Sequence, residues 1–86
     1  MNPLSRLLGE KYNDTQLVSL ARQAVDVDPM VTDPSTVTID SVKGVVKLSG
    51  VVHRSTERDR IEGIVRNTYR NAGLKFSDVV NELKVG

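Results

Sequence analysis

Apolar positions along this chain fall first at helical spacing, then at every second residue, then at helical spacing again, and finally alternate once more. Leu17, Leu20, Ala21, Ala24 and Val25 recur as one face of a helix, with Ser19, Arg22 and Gln23 off that face. Asn13 or Asp14 supplies its N-cap, and with Asn13 as cap Gln16 takes the capping-box position. Pro29 ends the helix, because the residue before a proline avoids the helical region, and Asp33-Pro34-Ser35 reads as a turn. From Thr36 the period is two: Val37 and Ile39 point one way, Thr36, Thr38 and Asp40 the other. Asp40 to Gly44 is the connection, with Gly44 free to take positive φ. In the next strand Val46, Leu48 and Gly50 face inward and Lys47 and Ser49 face water. Ser55 or Thr56 caps a second helix, with Glu57 and Asp59 in its first turn, where the helix dipole favours them. Its buried stripe is Ile61, Ile64, Val65, Thr68 and Ala72, and Asn71-Ala72-Gly73 stops it. Gly63 inside this helix costs about 1 kcal/mol relative to alanine, which either a close helix-to-sheet approach offsets or nothing does. A last strand alternates Val79, Asn81, Leu83 and Val85 against Val80, Glu82 and Lys84.

The order helix, strand, strand, helix, strand predicts an α+β domain. The expected form is a two-layer αββαβ arrangement, a three-stranded mixed sheet with two helices on one face. A parallel second and third strand would be joined by a right-handed crossover. Residues 1–12 are expected to be a flexible leader and residues 13–86 the domain. At 86 residues one domain is the limit, and the core is small. It is aliphatic, since the aromatics are Tyr12, Tyr69 and Phe76 alone.

The absence of cysteine excludes disulfides, thiolate nucleophiles and cysteine-based zinc sites. A net charge of +1 gives no global reason for polyanion binding. No apolar run reaches the roughly 7 residues of a secretory signal or the roughly 18 of a membrane span. As given, the chain is expected to be soluble and cytoplasmic; as a domain cut from a larger protein it would be periplasmic or membrane-peripheral.

Several segments together resemble a known family. They are Asp14 and Leu17 opening the first helix, Val37-Thr38-Ile39, the run Gly44-Val45-Val46-Lys47-Leu48-Ser49-Gly50-Val51-Val52, Ile61 and Val65, and Val80-Asn81-Glu82-Leu83-Lys84-Val85. From about residue 13 to the end the chain is similar to the BON domain, a bacterial module named for osmotically inducible and nodulation proteins. The resemblance implies an αββαβ domain that binds rather than catalyses. It also implies a context of envelope integrity or osmotic stress, with anionic phospholipid as ligand, or in some relatives an ion-sensing or accessory role. One segment departs from the family pattern: Asn71 to Asp78 is longer than the short Gly-Val turn by which family members reach the last strand.

The candidate chemistry is sparse. His53 is the only histidine, and without cysteine it builds no usual zinc site; it reads as a solvent-facing linker residue. Ser55 and Asp59 lie near it in sequence, but a triad needs geometry that local spacing does not provide. Asp14, Asp26, Asp28, Asp33 and Asp40 make the first half acidic, yet their spacing fits no calcium loop and suits caps and turns. Arg54, Arg58, Arg60, Arg66, Arg70 and Lys75 make the second helix region basic. Arg66 and Arg70, one turn apart, are either a patch for phosphates or carboxylates or part of a solvated face with i,i+4 pairs such as Glu62 with Arg58 or Arg66. Phe76 in Leu74-Lys75-Phe76 either inserts at a membrane interface or folds back under the helix end. Asn81 is read as structural.

No catalytic residue, cofactor or metal ligand is expected. The expectation is a non-catalytic binding module. It contacts an anionic phospholipid surface or a protein partner through Arg66, Arg70, Leu74, Lys75 and Phe76. Nucleic acid is not expected, for want of stacking aromatics and charge excess. The alternatives are a self-assembling homo-oligomeric scaffold, using charge asymmetry and open sheet edges, and an ion-sensing domain using the aspartates.

Overall fold

The computed structural model describes residues 12–86. Apart from Tyr12, the expected leader lies outside the described residues. Helix α1 (Asp14–Val27) leads to a 3-10 turn (Pro34–Thr36), the hairpin β1 (Val37–Val42) and β2 (Val45–Val52), helix α2 (Ser55–Ala72) and strand β3 (Asp78–Val85). The α+β class and the element order are those the hydrophobic pattern predicts. The sheet order is β1-β2-β3, with β1 antiparallel and β3 parallel to β2, so the sheet is mixed.

Local chemistry explains the boundaries. Asn13 caps α1, its side-chain oxygen accepting from the Gln16 N–H at 3.0 Å. Asp28, just before Pro29, is already extended. The hairpin turn is shorter than expected. It needs only Lys43 and Gly44, both at positive φ (51° and 82°), the geometry that matches strand twist in two-residue hairpins. Helix α2 departs from expectation at its start. Its N-cap is Arg54, with no side-chain capping bond, and Ser55 and Thr56 are already helical. Gly73, in the left-handed conformation, closes the other end: its N–H meets the Arg70 carbonyl and the Leu74 N–H the Tyr69 carbonyl, a Schellman-type stop.

One apolar cluster holds the elements together. Leu17, Ala21 and Val25 from α1 and Ile61, Val65 and Tyr69 from α2 join Val37, Val46, Leu48, Val52, Val79 and Leu83 from the strands. The helices run antiparallel, since the Tyr69 hydroxyl near the end of α2 donates to the Leu17 carbonyl near the start of α1 at 2.6 Å. Burial raises the Tyr69 pKa to about 12. The α2 stripe differs from the expected one. Strict i+4 steps from Ile61 through Val65 reach Tyr69, and Ala72 is exposed because the helix ends there. Glu57 also lies buried in this stripe, accepting from the Thr32 N–H at 3.1 Å.

Two glycines have opposite meanings. Gly50 has φ 114°, and a Cβ there would sit 1.9 Å from the Thr36 carbonyl oxygen. The Thr36 hydroxyl meanwhile donates to the Val51 carbonyl at 2.6 Å, seating the 3-10 turn on β2. Gly63 is exposed with nothing within 4 Å of an added Cβ, so no close helix-to-sheet approach accounts for it.

Candidate functional site

The expected binding residues cluster where the start of α1, the hairpin turn, the end of α2 and the start of β3 converge. Two clasps build this end. The Asp14 carboxylate accepts from the Ser41 hydroxyl at 2.7 Å and from the N–H groups of Lys43 and Gly44 at 2.8 Å each. The Gly44 bond, then those of Ser41 and Lys43, hold its pKa below the usual carboxylate range. On the other side of the turn the Gly44 carbonyl accepts from the Ser77 and Asp78 N–H groups, at 2.8 and 3.3 Å.

Arg66 forms the second clasp. Its guanidinium donates to Glu62 at 3.0 Å, to the Asp78 carboxylate at 3.1 Å and to the Val79 carbonyl at 3.1 Å. These bonds raise the Arg66 pKa, Glu62 contributing most. Asp78 is lowered, first by the Val79 N–H and then by Arg66. Arg66 therefore ties α2 to β3, and its pair with Glu62 is the i,i+4 bond of the solvated-face reading.

Phe76 is half-buried against the core, its ring 5.1 Å from that of Tyr69 in a tilted arrangement. Leu74 also packs on the core. Arg70 and Lys75 are exposed and make no ion pair among the described residues. The structure adds Lys43 to them, exposed at the hairpin tip and likewise unpaired. Sequence reading had the signal for Lys43, since a lysine beside a turn glycine projects from the tip, but did not use it. Arg54 and Lys84, at the opposite end of the described residues, also make no ion pair among them.

Several other charges serve the fold. Asp26 pairs with Arg22 at 2.8 Å. Asp28 takes a two-pronged contact from Arg60, 3.0 Å at each oxygen; that bond with Arg60 lowers the Asp28 pKa and raises that of Arg60. Asp33 caps the 3-10 turn. No group of three or more His, Cys, Asp or Glu side chains is placed to hold a metal ion among the described residues. His53 is exposed just after β2.

The free edge of β3 is not bare backbone. The Val79 N–H donates to the Asp78 carboxylate at 2.8 Å, the Val79 carbonyl accepts from Arg66, and the Leu83 N–H donates to the Asn81 side chain at 3.1 Å. In a ladder, alternate residues direct their backbone groups to the same side, so this set faces away from β2. Asn81 also donates to the Arg58 carbonyl at 2.9 Å, tying the strand to the first turn of α2. Side chains thus occupy three of the backbone groups that another strand would need along β3.

The fold and surface define a small α+β domain with a well-braced end that carries Lys43, Arg70 and Lys75, unpaired among the described residues. No family model matches the chain, and no curated protein matches it. No described helix is long and apolar enough to cross a membrane.

Proposed function

We propose that this chain is a non-catalytic, BON-like binding module that docks on an anionic phospholipid surface through Lys43, Arg70 and Lys75. One observation carries the reading: these cations share one end of the domain and are unpaired among the described residues, whereas Arg22, Arg58, Arg60 and Arg66 all hold carboxylates. The resemblance of the chain to the BON family supports the same ligand class. The contact is electrostatic and not insertional, because Leu74 and Phe76 are engaged with the core. Each Lys or Arg near an anionic membrane contributes about 1 kcal/mol, so the three together give roughly a hundredfold preference for anionic over neutral vesicles. Salt should erode that preference, since exposed charges are screened beyond about 10 Å at 0.1 M.

The test is co-sedimentation with phosphatidylglycerol-containing and pure phosphatidylcholine vesicles at low and high salt. Binding confined to anionic vesicles, weakened by salt and abolished by the triple change Lys43→Glu, Arg70→Glu, Lys75→Glu, is the expected result. Equal behaviour of wild type and triple variant would overturn the proposal.

A further inference from the structure

The outward face of the sheet carries a pattern that no element of the described chain covers. The strand register sets it out in rows. Val42, Val45 and Asp78 form the row next to the hairpin turn; Asp40, Lys47 and Val80 form the second; Thr38, Ser49 and Glu82 the third; Val51 and Lys84 the last. Val42, Val45 and Val51 are 60%, 39% and 50% exposed. The charges on this face, Asp40, Lys47, Asp78, Glu82 and Lys84, mix both signs.

We infer that this face is a docking surface for a second copy of the same chain, in a face-to-face dimer whose two-fold axis runs across the strands. That operation keeps each strand over its own counterpart and reverses its direction. It lays Val45 over Val51 of the second copy and Lys84 over Asp78, each twice by symmetry. It also brings Lys47, which is 3.9 Å from its own Glu82, beside the Glu82 of the second copy. The other two-fold, running along the strands, keeps each row over itself and sets β2 on β2, so that Lys47 meets Lys47. Charge complementarity selects the first axis.

Edge pairing along β3 is less suited, because Asp78, Arg66 and Asn81 already occupy backbone groups on its free side. Strands of six, eight and eight residues, at about 3.3 Å per residue and about 4.8 Å apart, present a footprint of about 350 Å² per copy, about 700 Å² in total, which is the size of a weak, transient interface. The dimer is therefore weak and concentration-dependent. This inference does not rest on the phospholipid reading, which concerns one end of the domain and not the sheet face.

Two measurements on the full chain test it. Sedimentation velocity from micromolar to millimolar protein at low salt should show a monomer–dimer equilibrium. Lys84→Glu, at a residue unpaired in the monomer, should weaken that equilibrium about tenfold, since two contacts change from attraction to repulsion. The chain has no cysteine of its own, so single cysteines report the axis. V45C mixed with V51C should cross-link to each other faster than either does to itself. A monomer at millimolar concentration would refute the dimer. So would faster self-linking of V45C, which indicates the axis along the strands.

Discussion

Replacing Gly50 by alanine tests the packing argument at its tightest point. The φ of 114° lies where residues with a side chain rarely go, and the new Cβ would fall 1.9 Å from the Thr36 carbonyl oxygen. A residue held in such a sparsely populated backbone region costs about 1–3 kcal/mol. The atom it meets is backbone, so the 3-10 turn must move by more than 1 Å to restore ordinary contact, and overpacking of this kind costs about 1–3 kcal/mol more. That movement also strains the bond from the Thr36 hydroxyl to the Val51 carbonyl, worth about 1 kcal/mol. The sum is roughly 3–7 kcal/mol. A domain of 86 residues has about 4–13 kcal/mol to lose. Urea unfolding followed by far-ultraviolet circular dichroism is the assay. With a slope of about 1 kcal/mol/M for so small a domain, the midpoint should fall by about 3 M or the variant should be largely unfolded in water. Two other glycines serve as controls. Gly73 is also at positive φ (66°) but has open space around it, so Gly73→Ala should cost only about 1–2 kcal/mol. Gly63 is neither crowded nor at positive φ, so Gly63→Ala should stabilise the domain by about 1 kcal/mol. If Gly50→Ala cost no more than Gly73→Ala, the steric reasoning would be refuted.

Other outcomes follow from the clasps and the core. Asp14, Asp28 and Asp78 have folded pKa values below their ordinary 3.8, so the unfolded chain binds protons first on acidification. Their contribution is full above the unfolded value and lost as pH falls through the lowered folded values, and Asp14→Asn should flatten that acid limb of a stability–pH curve. Tyr69 titrates the opposite way: with its pKa raised to about 12, its contribution is full below about 10 and lost as pH rises through 12. Tyr69→Phe should cost about 1 kcal/mol near neutrality, through the hydrogen bond to Leu17, and remove that alkaline loss. Arg66→Met should lower thermal stability by about 1–2 kcal/mol, since a part-buried donor to Glu62, Asp78 and Val79 disappears; Arg70→Met should leave the melting temperature unchanged within error.

This contrast between two arginines shows where the sequence stopped being readable. Helices, strands and their inward faces were legible because burial imposes a period of 3.6 or 2 on apolar residues, and Leu17, Val46, Leu48, Ile61, Val65, Val79 and Leu83 obey it. The start of α2 was not legible from cap preferences, because Arg54 takes the N-cap position while Ser55 and Thr56 serve as helical residues. Tyr69 was overlooked in favour of Ala72, since both lie near the apolar stripe and only the helix end decides between them. The roles of the arginines depend on contacts across the loop. Arg66 and Arg70 lie one turn apart on the same helix, and the only local difference is Glu62, four residues before Arg66. Folding back of residues 73–78, fixed by the Gly44 carbonyl, brings Asp78 and Val79 to Arg66 and leaves Arg70 facing solvent. A charge count along α2 thus overstates its binding surface, because Arg58, Arg60 and Arg66 are paired with carboxylates. Charge reversal at Arg66 would confuse loss of fold with loss of ligand. Reversal at Lys43, Arg70 and Lys75 leaves every observed ion pair intact, so a change in vesicle binding there reports on the surface itself.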